Sequence, residues 1–118
     1  MMLELLKSKL HRARVTGASV DYMGSITIAE DLARAAGLRE YERVLVGNMG
    51  NGQRFETYTI YGPAGSGAIE LNGATAFRGK VGDRLTIMAF GYFTPEEAAL
   101  HRPLKLLLDE ANRIIGES

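Results

Sequence analysis

The residues best suited to chemistry lie close together in one stretch: Arg54, Thr57 and Tyr58. On a regular strand, Arg54 and Tyr58 share one face and Thr57 points to the other. An arginine binds both oxygens of a carboxylate through its planar guanidinium, and a tyrosine phenol can deliver a proton. The stretch is therefore either a carboxylate site with a proton donor, or a solvated arginine beside a tyrosine packed on a sheet. Lys9 and His11 present the same choice, because they share one face of a predicted strand.

A Gly-Ser pair at Gly24 and Ser25 lies between two predicted extended segments. A second pair, Gly65-Ser66, falls in a predicted turn, and a tight turn is the usual meaning of such a pair. A glycine between two strands indicates unusual backbone geometry or the close approach of another group. We therefore predict one of these two features at Gly24.

The elements that position these residues are predicted to be short. Leu104 to Leu108 fits a helix or a strand on periodicity alone. Many short strands, glycine-rich turns and two short helices together predict a small, mainly β barrel. The predicted strands are 7–16, 20–23, 26–28, 44–46, 55–61, 68–71 and 84–93, and the predicted helices are 30–36, capped by Gly37, and 94–101.

Three local signals mark chain reversals and helix starts. Asn51-Gly52 lies between two apolar runs and predicts a hairpin with a type I′ turn. Asn72-Gly73 predicts a second turn. The segment 94–97 has the layout of a capping box, with proline at the first helical position.

The amino-acid composition excludes several kinds of site and partner. The chain has 118 residues, with 14 Lys and Arg against 14 Asp and Glu, two His and no Cys. This length predicts a single domain over residues 1–118. Without cysteine there is no disulfide, thiolate metal site or cysteine nucleophile, and two histidines are too few for a His-rich metal site. We expect no metal. The balanced charge argues against a nucleic-acid partner bound by bulk electrostatics.

The expected location is the cytoplasm. The longest apolar runs are far shorter than the roughly 20 residues that a membrane span needs, so we expect no membrane partner. Basic residues occupy the place of a signal peptide's apolar core. These residues are Lys7, Lys9, His11, Arg12 and Arg14.

Five blocks of sequence stand out when they are taken together and in order. The blocks are Lys-Leu-His-Arg at 9–12, Tyr-Met-Gly-Ser at 22–25, Asn-Gly-Gln-Arg-Phe-Glu-Thr-Tyr at 51–58, Gly-Ser-Gly at 65–67 and Asn-Gly-Ala at 72–74. Together they resemble the aspartate decarboxylase family, whose members carry a pyruvoyl group and make β-alanine for pantothenate and coenzyme A synthesis. The similarity runs from Leu6 to Ile115 without insertions between the blocks. Thr75 departs from the family pattern, which usually has alanine there, and further departures are Gly47 and Pro63-Ala64.

The resemblance implies a double-psi β-barrel that forms a homotetramer, with active sites between subunits. It also implies a self-made cofactor. The Ser25 hydroxyl attacks the Gly24 carbonyl, the resulting ester is eliminated, and Ser25 becomes a pyruvoyl group at a new N-terminus. Such a group replaces pyridoxal phosphate as the electron sink for loss of the α-carboxylate of L-aspartate.

The resemblance also implies a role for each site residue. Gly24, Ser25, Thr57 and Tyr58 are implied to be catalytic. Thr57 meets the oxyanion on the Gly24 carbonyl and also contacts substrate, and Tyr58 returns a proton after decarboxylation. The substrate-binding residues are implied to be Arg54, Lys9, Asn72, Gly73, Ala74 and Thr57, with His11 and Tyr22 in support.

Two other functions remain open at this point. One is a catalytically silent barrel that serves as a binding module, because a fold alone does not fix activity. The other is a pyruvoyl-dependent decarboxylase of a different acidic amino acid. One geometric question also stays open. Strand alternation separates Thr57 from Arg54 and Tyr58, and a bulge, a strong twist or contributions from two subunits would reconcile their shared role.

Overall fold

The computed structural model of the chain describes residues 1–21 and 23–118, so the predicted role of Tyr22 lies outside the described residues. The chain is mostly β, with two short α-helices and one 3₁₀ helix among these residues. The elements are β1 (Leu3–Arg14), β2 (Gly17–Ser19), β3 (Ser25–Ala29), α1 (Glu30–Ala35), β4 (Arg43–Asn48), β5 (Arg54–Gly62), β6 (Ile69–Asn72), a 3₁₀ helix (Gly73–Arg78), β7 (Arg84–Phe93), α2 (Pro95–Leu100), β8 (Leu104–Leu108) and β9 (Ile114–Glu117).

The strands form one sheet in the order β2-β6-β3-β5-β4-β7-β1-β8-β9. Three neighbouring pairs are parallel, namely β1 with β8, β2 with β6, and β3 with β5. The remaining pairs described are antiparallel. Strands that are distant in sequence are therefore interleaved, as in a double-psi β-barrel, and the predicted fold class is confirmed.

The core lies on the inner face of this sheet. Alternating side chains of the strands are buried there, among them Leu10, Ile26, Val46, Leu71 and Ile87, each at most 1% exposed. Their neighbours in sequence point outward, because successive side chains of a strand face opposite sides. The outer face is consequently where the polar residues of interest lie.

Several local predictions are confirmed. The strand predicted at 84–93 matches β7, and β8 settles the ambiguous segment at 104–108 as a strand. The capping box at the start of α2 is present: Glu97 N–H donates to Thr94 Oγ1 at 3.1 Å, and Thr94 N–H donates to Glu97 Oε1 at 2.8 Å. Gly37 ends the first helix with φ +70°, a left-handed conformation that glycine adopts at little cost.

The extended segment predicted at 20–23 is wrong. The strand here is β2, which ends at Ser19, and Val20 and Asp21 lie in a turn. The reason is the partner strand: β2 pairs with β6 only as far as Ser19 opposite Asn72, where β6 itself ends. Val20 favours an extended conformation, but no residue of β6 lies beside it to form a pair.

The two predicted turns are also corrected. A type I′ turn needs positive φ at both central residues, yet only Gly52 has one, at +75°. A five-residue loop joins β4 to β5, and it closes because Asn48 and Asn51 accept backbone hydrogen bonds through their side-chain oxygens. Asn72-Gly73 is the start of the 3₁₀ helix instead of a free turn.

Candidate active site

A groove of about 620 Å³ crosses the outer face of the sheet where β2, β6, β3 and β5 lie side by side. The strand register brings polar residues from distant parts of the chain into this groove. Ser25 lies opposite Asn72, and Ile26 lies beside Thr59, so that Ser25 and Tyr58 are neighbours across β3 and β5. The groove is lined by Gly17, Ala18, Ser19, Met23, Ser25, Thr27, Tyr58, Ile60, Glu70 and Asn72.

The Ser25 hydroxyl is held in place at the start of β3. The residue is 4% exposed, and its Oγ accepts a hydrogen bond of 3.0 Å from the Asn72 side-chain amide. The hydroxyl donates to the Met23 carbonyl at 3.4 Å. The same amide nitrogen of Asn72 also donates to Thr27 Oγ1 at 2.8 Å. These contacts fix where the Oγ lies relative to the preceding peptide bond.

Gly24 shows neither a left-handed backbone nor a close neighbour among the described residues. Its φ is outside the left-handed region, since it is absent from the glycines with positive φ. A Cβ built on Gly24 meets nothing within 4 Å among the described residues other than its chain neighbours. The expectation of special backbone geometry or close approach finds no support among the described residues and stays a prediction. What the structure leaves at Gly24 is an exposed peptide with no side chain to obstruct its carbonyl.

Thr57 and Tyr58 occupy successive positions of β5 and face opposite sides of the sheet. Tyr58 faces the groove, whereas Thr57 lies opposite Val44, which is 1% exposed, and so faces inward. Continuing the parallel register of β3 and β5 one step beyond Ser25 brings Gly24 beside Thr57. Neighbouring strands lie about 4.8 Å apart. The described pairs of β5 contain no register shift, so Thr57 and Tyr58 point to opposite faces of the strand, and their shared role stays a prediction.

The cationic residues lie elsewhere on the outer face. Arg54 lines a separate, smaller groove with Gly47, Thr86 and Met88. The register aligns His11, Thr86, Gly47 and Arg54 in one row across β1, β7, β4 and β5. Gly47 has no side chain, so the outer surface between Arg54 and Thr86 is uncovered.

Lys9 occupies the neighbouring row, opposite Met88 on one side and Lys105 on the other. Burial of the ring, with Lys9 and Arg12 nearby, lowers the pKa of His11. The lowered pKa favours the neutral ring, so the predicted site residues that carry positive charge are Lys9 and Arg54. The structure brings Ser25, Tyr58 and Asn72 together and does not bring Lys9, His11 or Arg54 into the same groove.

The two remaining predicted residues, Gly73 and Ala74, directly follow Asn72 in the sequence. Gly73 is buried and Ala74 is exposed at the start of the 3₁₀ helix, and neither lines the groove.

Within the described part of the chain, no three side chains of His, Asp or Glu are grouped so as to hold a metal ion. None of the helices described is long and apolar enough to cross a bilayer.

Sequence reasoning missed two hydroxyl residues of this site. Thr27 lies two residues after Ser25 on β3, so strand alternation alone would have put both on one face. Thr75 lies at the 3₁₀ helix, 8% exposed, within hydrogen-bonding distance of the Ser25 carbonyl. A contact over 50 positions has no local sequence signal.

The chain is similar to known proteins along nearly its whole length. The model of the family described as aspartate decarboxylase matches residues 1–115. A protein of Lactiplantibacillus plantarum named aspartate 1-decarboxylase is 51% identical over 114 residues, which cover 97% of this chain and 88% of that protein. The protein of the same name from Desulfotalea psychrophila is 49% identical over 97% of this chain and 96% of its own length. A third, from Caldicellulosiruptor bescii, is 52% identical over 98% of this chain and 90% of its own. The chain belongs to the aspartate decarboxylase family.

Proposed function

We propose that this protein decarboxylates L-aspartate to β-alanine and carbon dioxide, after cleaving its own chain between Gly24 and Ser25. The observation that carries the proposal is the Ser25 hydroxyl, positioned by Asn72 next to an unobstructed Gly24 peptide. Relatives at about half identity are named for this decarboxylation. The product serves pantothenate and coenzyme A synthesis, which we assign to the cytoplasm.

Self-cleavage begins with attack of Ser25 Oγ on the Gly24 carbonyl carbon. The C–O bond forms, the C–N bond breaks, and the amide becomes an ester; a neighbouring hydroxyl favours this step because its effective concentration is high. Asn72 donates to one lone pair of Oγ and the other remains for the attack, while the hydroxyl proton passes to the Ser25 nitrogen, which becomes an amine. The Thr57 hydroxyl is assigned to the oxyanion on the Gly24 carbonyl, a role that needs a fixed donor.

The ester then leaves by β-elimination. The Cα proton and the Cβ–Oγ bond of Ser25 are lost, Gly24 becomes a carboxylate, and residue 25 becomes dehydroalanine. The imine tautomer of dehydroalanine is then hydrolysed by water, which leaves the ketone and releases ammonia. The residues present fit the resulting pyruvoyl group, since it would stand in a groove with Tyr58 and Asn72 around it. When formed, this group supplies a ketone for the substrate amine and, with the amide carbonyl of residue 25, accepts the electron pair left by carbon dioxide. No metal or pyridoxal phosphate is required.

Tyr58 is assigned to the proton transfer, and two cationic residues outside the groove are assigned to the retained carboxylate. Tyr58 faces the groove beside Ser25, from which its phenol can donate the proton that replaces the lost carboxylate. A departing carboxylate becomes neutral, so a tight ion pair with it would stabilise the ground state over the transition state. Arg54 is therefore assigned to the side-chain carboxylate that the substrate retains, with Lys9 as a second contact.

We propose that two copies of the chain complete each site within a homotetramer. Ser25 lies on β3 and Lys9 on β1, four strand spacings or about 19 Å apart along the sheet. Both side chains point outward from a curved sheet, so they diverge, and a small amino acid cannot bridge them. A second copy could present its Lys9 and Arg54 to the groove, where the apolar side chain of Met23 is 81% exposed and available for burial.

Mixed tetramers provide the test of the shared site. Ser25→Ala and Arg54→Ala chains, each inactive alone, are expected to recover activity when they are co-expressed with different tags and purified together. About a quarter of the sites then combine a native Ser25 from one chain with a native Arg54 from another. Each variant co-expressed with itself is the control. No recovery in a verified mixed tetramer would contradict a site shared between subunits.

The Arg54→Lys variant tests recognition of the retained carboxylate. Lysine keeps the charge but loses the two parallel N–H donors, and hydrogen bonds to charged groups are each worth about 1.5–3 kcal/mol. We expect a rise in KM of about 10- to 100-fold with complete self-cleavage. Steady-state kinetics and a denaturing gel measure the two effects. An unchanged KM would show that no bidentate contact is made.

Substrate assays separate the remaining functions. The purified protein is incubated with L-aspartate or L-glutamate, and carbon dioxide and the amine product are measured. We expect release from aspartate well above that from glutamate. A preference for glutamate would identify a decarboxylase of another acidic amino acid, and an intact, inactive chain would identify a binding module.

A further inference from the structure

The Thr75 hydroxyl lies between two backbone carbonyls at the edge of the groove. Its Oγ1 is 3.1 Å from the carbonyl oxygen of Ser25 and 2.7 Å from that of Asn72. The side chain is 8% exposed, so water does not compete freely for it. A hydroxyl carries one proton and can therefore donate fully to only one of the two oxygens at a time.

The two acceptors differ in what self-cleavage does to them. The Asn72 carbonyl is an ordinary amide before and after. The Ser25 carbonyl becomes the amide next to the ketone of the pyruvoyl group, and its oxygen takes up negative charge as carbon dioxide leaves. A donor that is shared between two oxygens in the resting state moves to whichever becomes more negative. Such a donor stabilises the transition state more than the ground state, which is what accelerates a reaction.

We propose that Thr75 is a catalytic residue whose hydroxyl stabilises the charge that develops on the carbonyl oxygen of residue 25. This inference rests on the proposed function. It concerns a position at which this chain departs from the alanine usual in the family, so the donor is a feature of this chain's own sequence. The 3₁₀ helix that begins at Gly73 carries Thr75 back over the end of β6 to reach β3.

The geometry separates this role from self-cleavage. The carbonyl attacked by Ser25 Oγ belongs to Gly24, on the other side of Ser25 from the oxygen that Thr75 contacts. Removing the hydroxyl should thus leave cleavage complete and slow only the later decarboxylation. Substrate binding should also be unaffected, because Thr75 does not line the groove.

The test compares Thr75→Val, which keeps the shape and loses the hydroxyl, with Thr75→Ser, which keeps the hydroxyl. Intact mass measures cleavage, and steady-state kinetics separate kcat from KM. Incorporated serine carrying carbon-13 at its carbonyl reports on residue 25 by NMR, because the amide next to a ketone resonates apart from ordinary amides. The melting temperature of each purified, processed tetramer shows that the fold is retained.

For Thr75→Val we expect complete cleavage, an unchanged KM and a kcat lower by about 10- to 100-fold, somewhat less than the loss of a dedicated oxyanion donor. The resonance of residue 25 should move upfield, and Thr75→Ser should restore both the resonance and kcat. A valine variant with native kcat, or with a resonance that does not move, would overturn the role of Thr75 while the proposed function stands. A native chain that neither cleaves itself nor forms β-alanine would overturn both.

Discussion

Replacing Ser25 by alanine is expected to leave one uncut chain of 118 residues that forms no β-alanine. Alanine has no oxygen to attack the Gly24 carbonyl, and no other hydroxyl replaces it in the same position. The Thr27 hydroxyl also accepts from the Asn72 amide, but it lies two residues further along β3. Without cleavage no pyruvoyl group forms, so the loss of activity should be complete. A denaturing gel and an assay for β-alanine measure both effects.

The chain contains a matched control for this variant. Ser66 also follows a glycine, but its hydroxyl donates to the Pro63 carbonyl at 2.6 Å in an exposed loop. Ser66→Ala should cleave and decarboxylate like the native chain. Cleavage between positions 24 and 25 in Ser25→Ala would contradict the assignment of Ser25 as the nucleophile.

Replacing Tyr58 by phenylalanine is expected to lower kcat by about 10²- to 10⁴-fold, the usual contribution of a general acid. The ring and its packing against Tyr41, at a centroid distance of 6.4 Å, are retained. Only the phenolic proton is lost from the groove. Self-cleavage should go to completion, because the hydroxyl of Thr57 and not that of Tyr58 is assigned to the oxyanion on Gly24.

Tyr61 provides the control on the same strand. Its hydroxyl donates to the Leu38 carbonyl at 2.7 Å, away from the groove. Tyr61→Phe should therefore change stability more than kcat. If Tyr58→Phe kept native kcat, the proton would have to come from another donor. If it blocked cleavage instead, Tyr58 would belong to maturation rather than to decarboxylation.

The sequence predicted the elements whose signals are local. The ten-residue β7 is a long run of apolar and β-branched residues, and the start of α2 carries both halves of a capping box. The limits of β2 were not predictable in this way, because they depend on where β6 ends, about 50 residues away. The type I′ turn predicted at Asn51-Gly52 was wrong for a related reason. The side chain of Asn48 organises a longer loop, and a rule based on the two turn residues alone does not take Asn48 into account.

The candidate site could be predicted only for those residues that lie in the blocks of sequence resembling the aspartate decarboxylase family. Ser25, Asn72 and Tyr58 were taken from such blocks, and they now lie in one groove. Their roles stay predictions. The contact between Thr75 and the Ser25 carbonyl could not be predicted, because it arises only when β3 and β6 pair and the chain turns into the 3₁₀ helix. No pattern within either segment specifies it.

The most direct test of the account is the intact mass of the purified protein after incubation. The account predicts two fragments, residues 1–24 ending in a carboxylate and residues 25–118 beginning with a pyruvoyl group in place of Ser25. Reduction with borohydride should add two hydrogens to the larger fragment alone. A single species with the mass of the uncut chain, persisting after prolonged incubation, would contradict a cofactor made from Ser25.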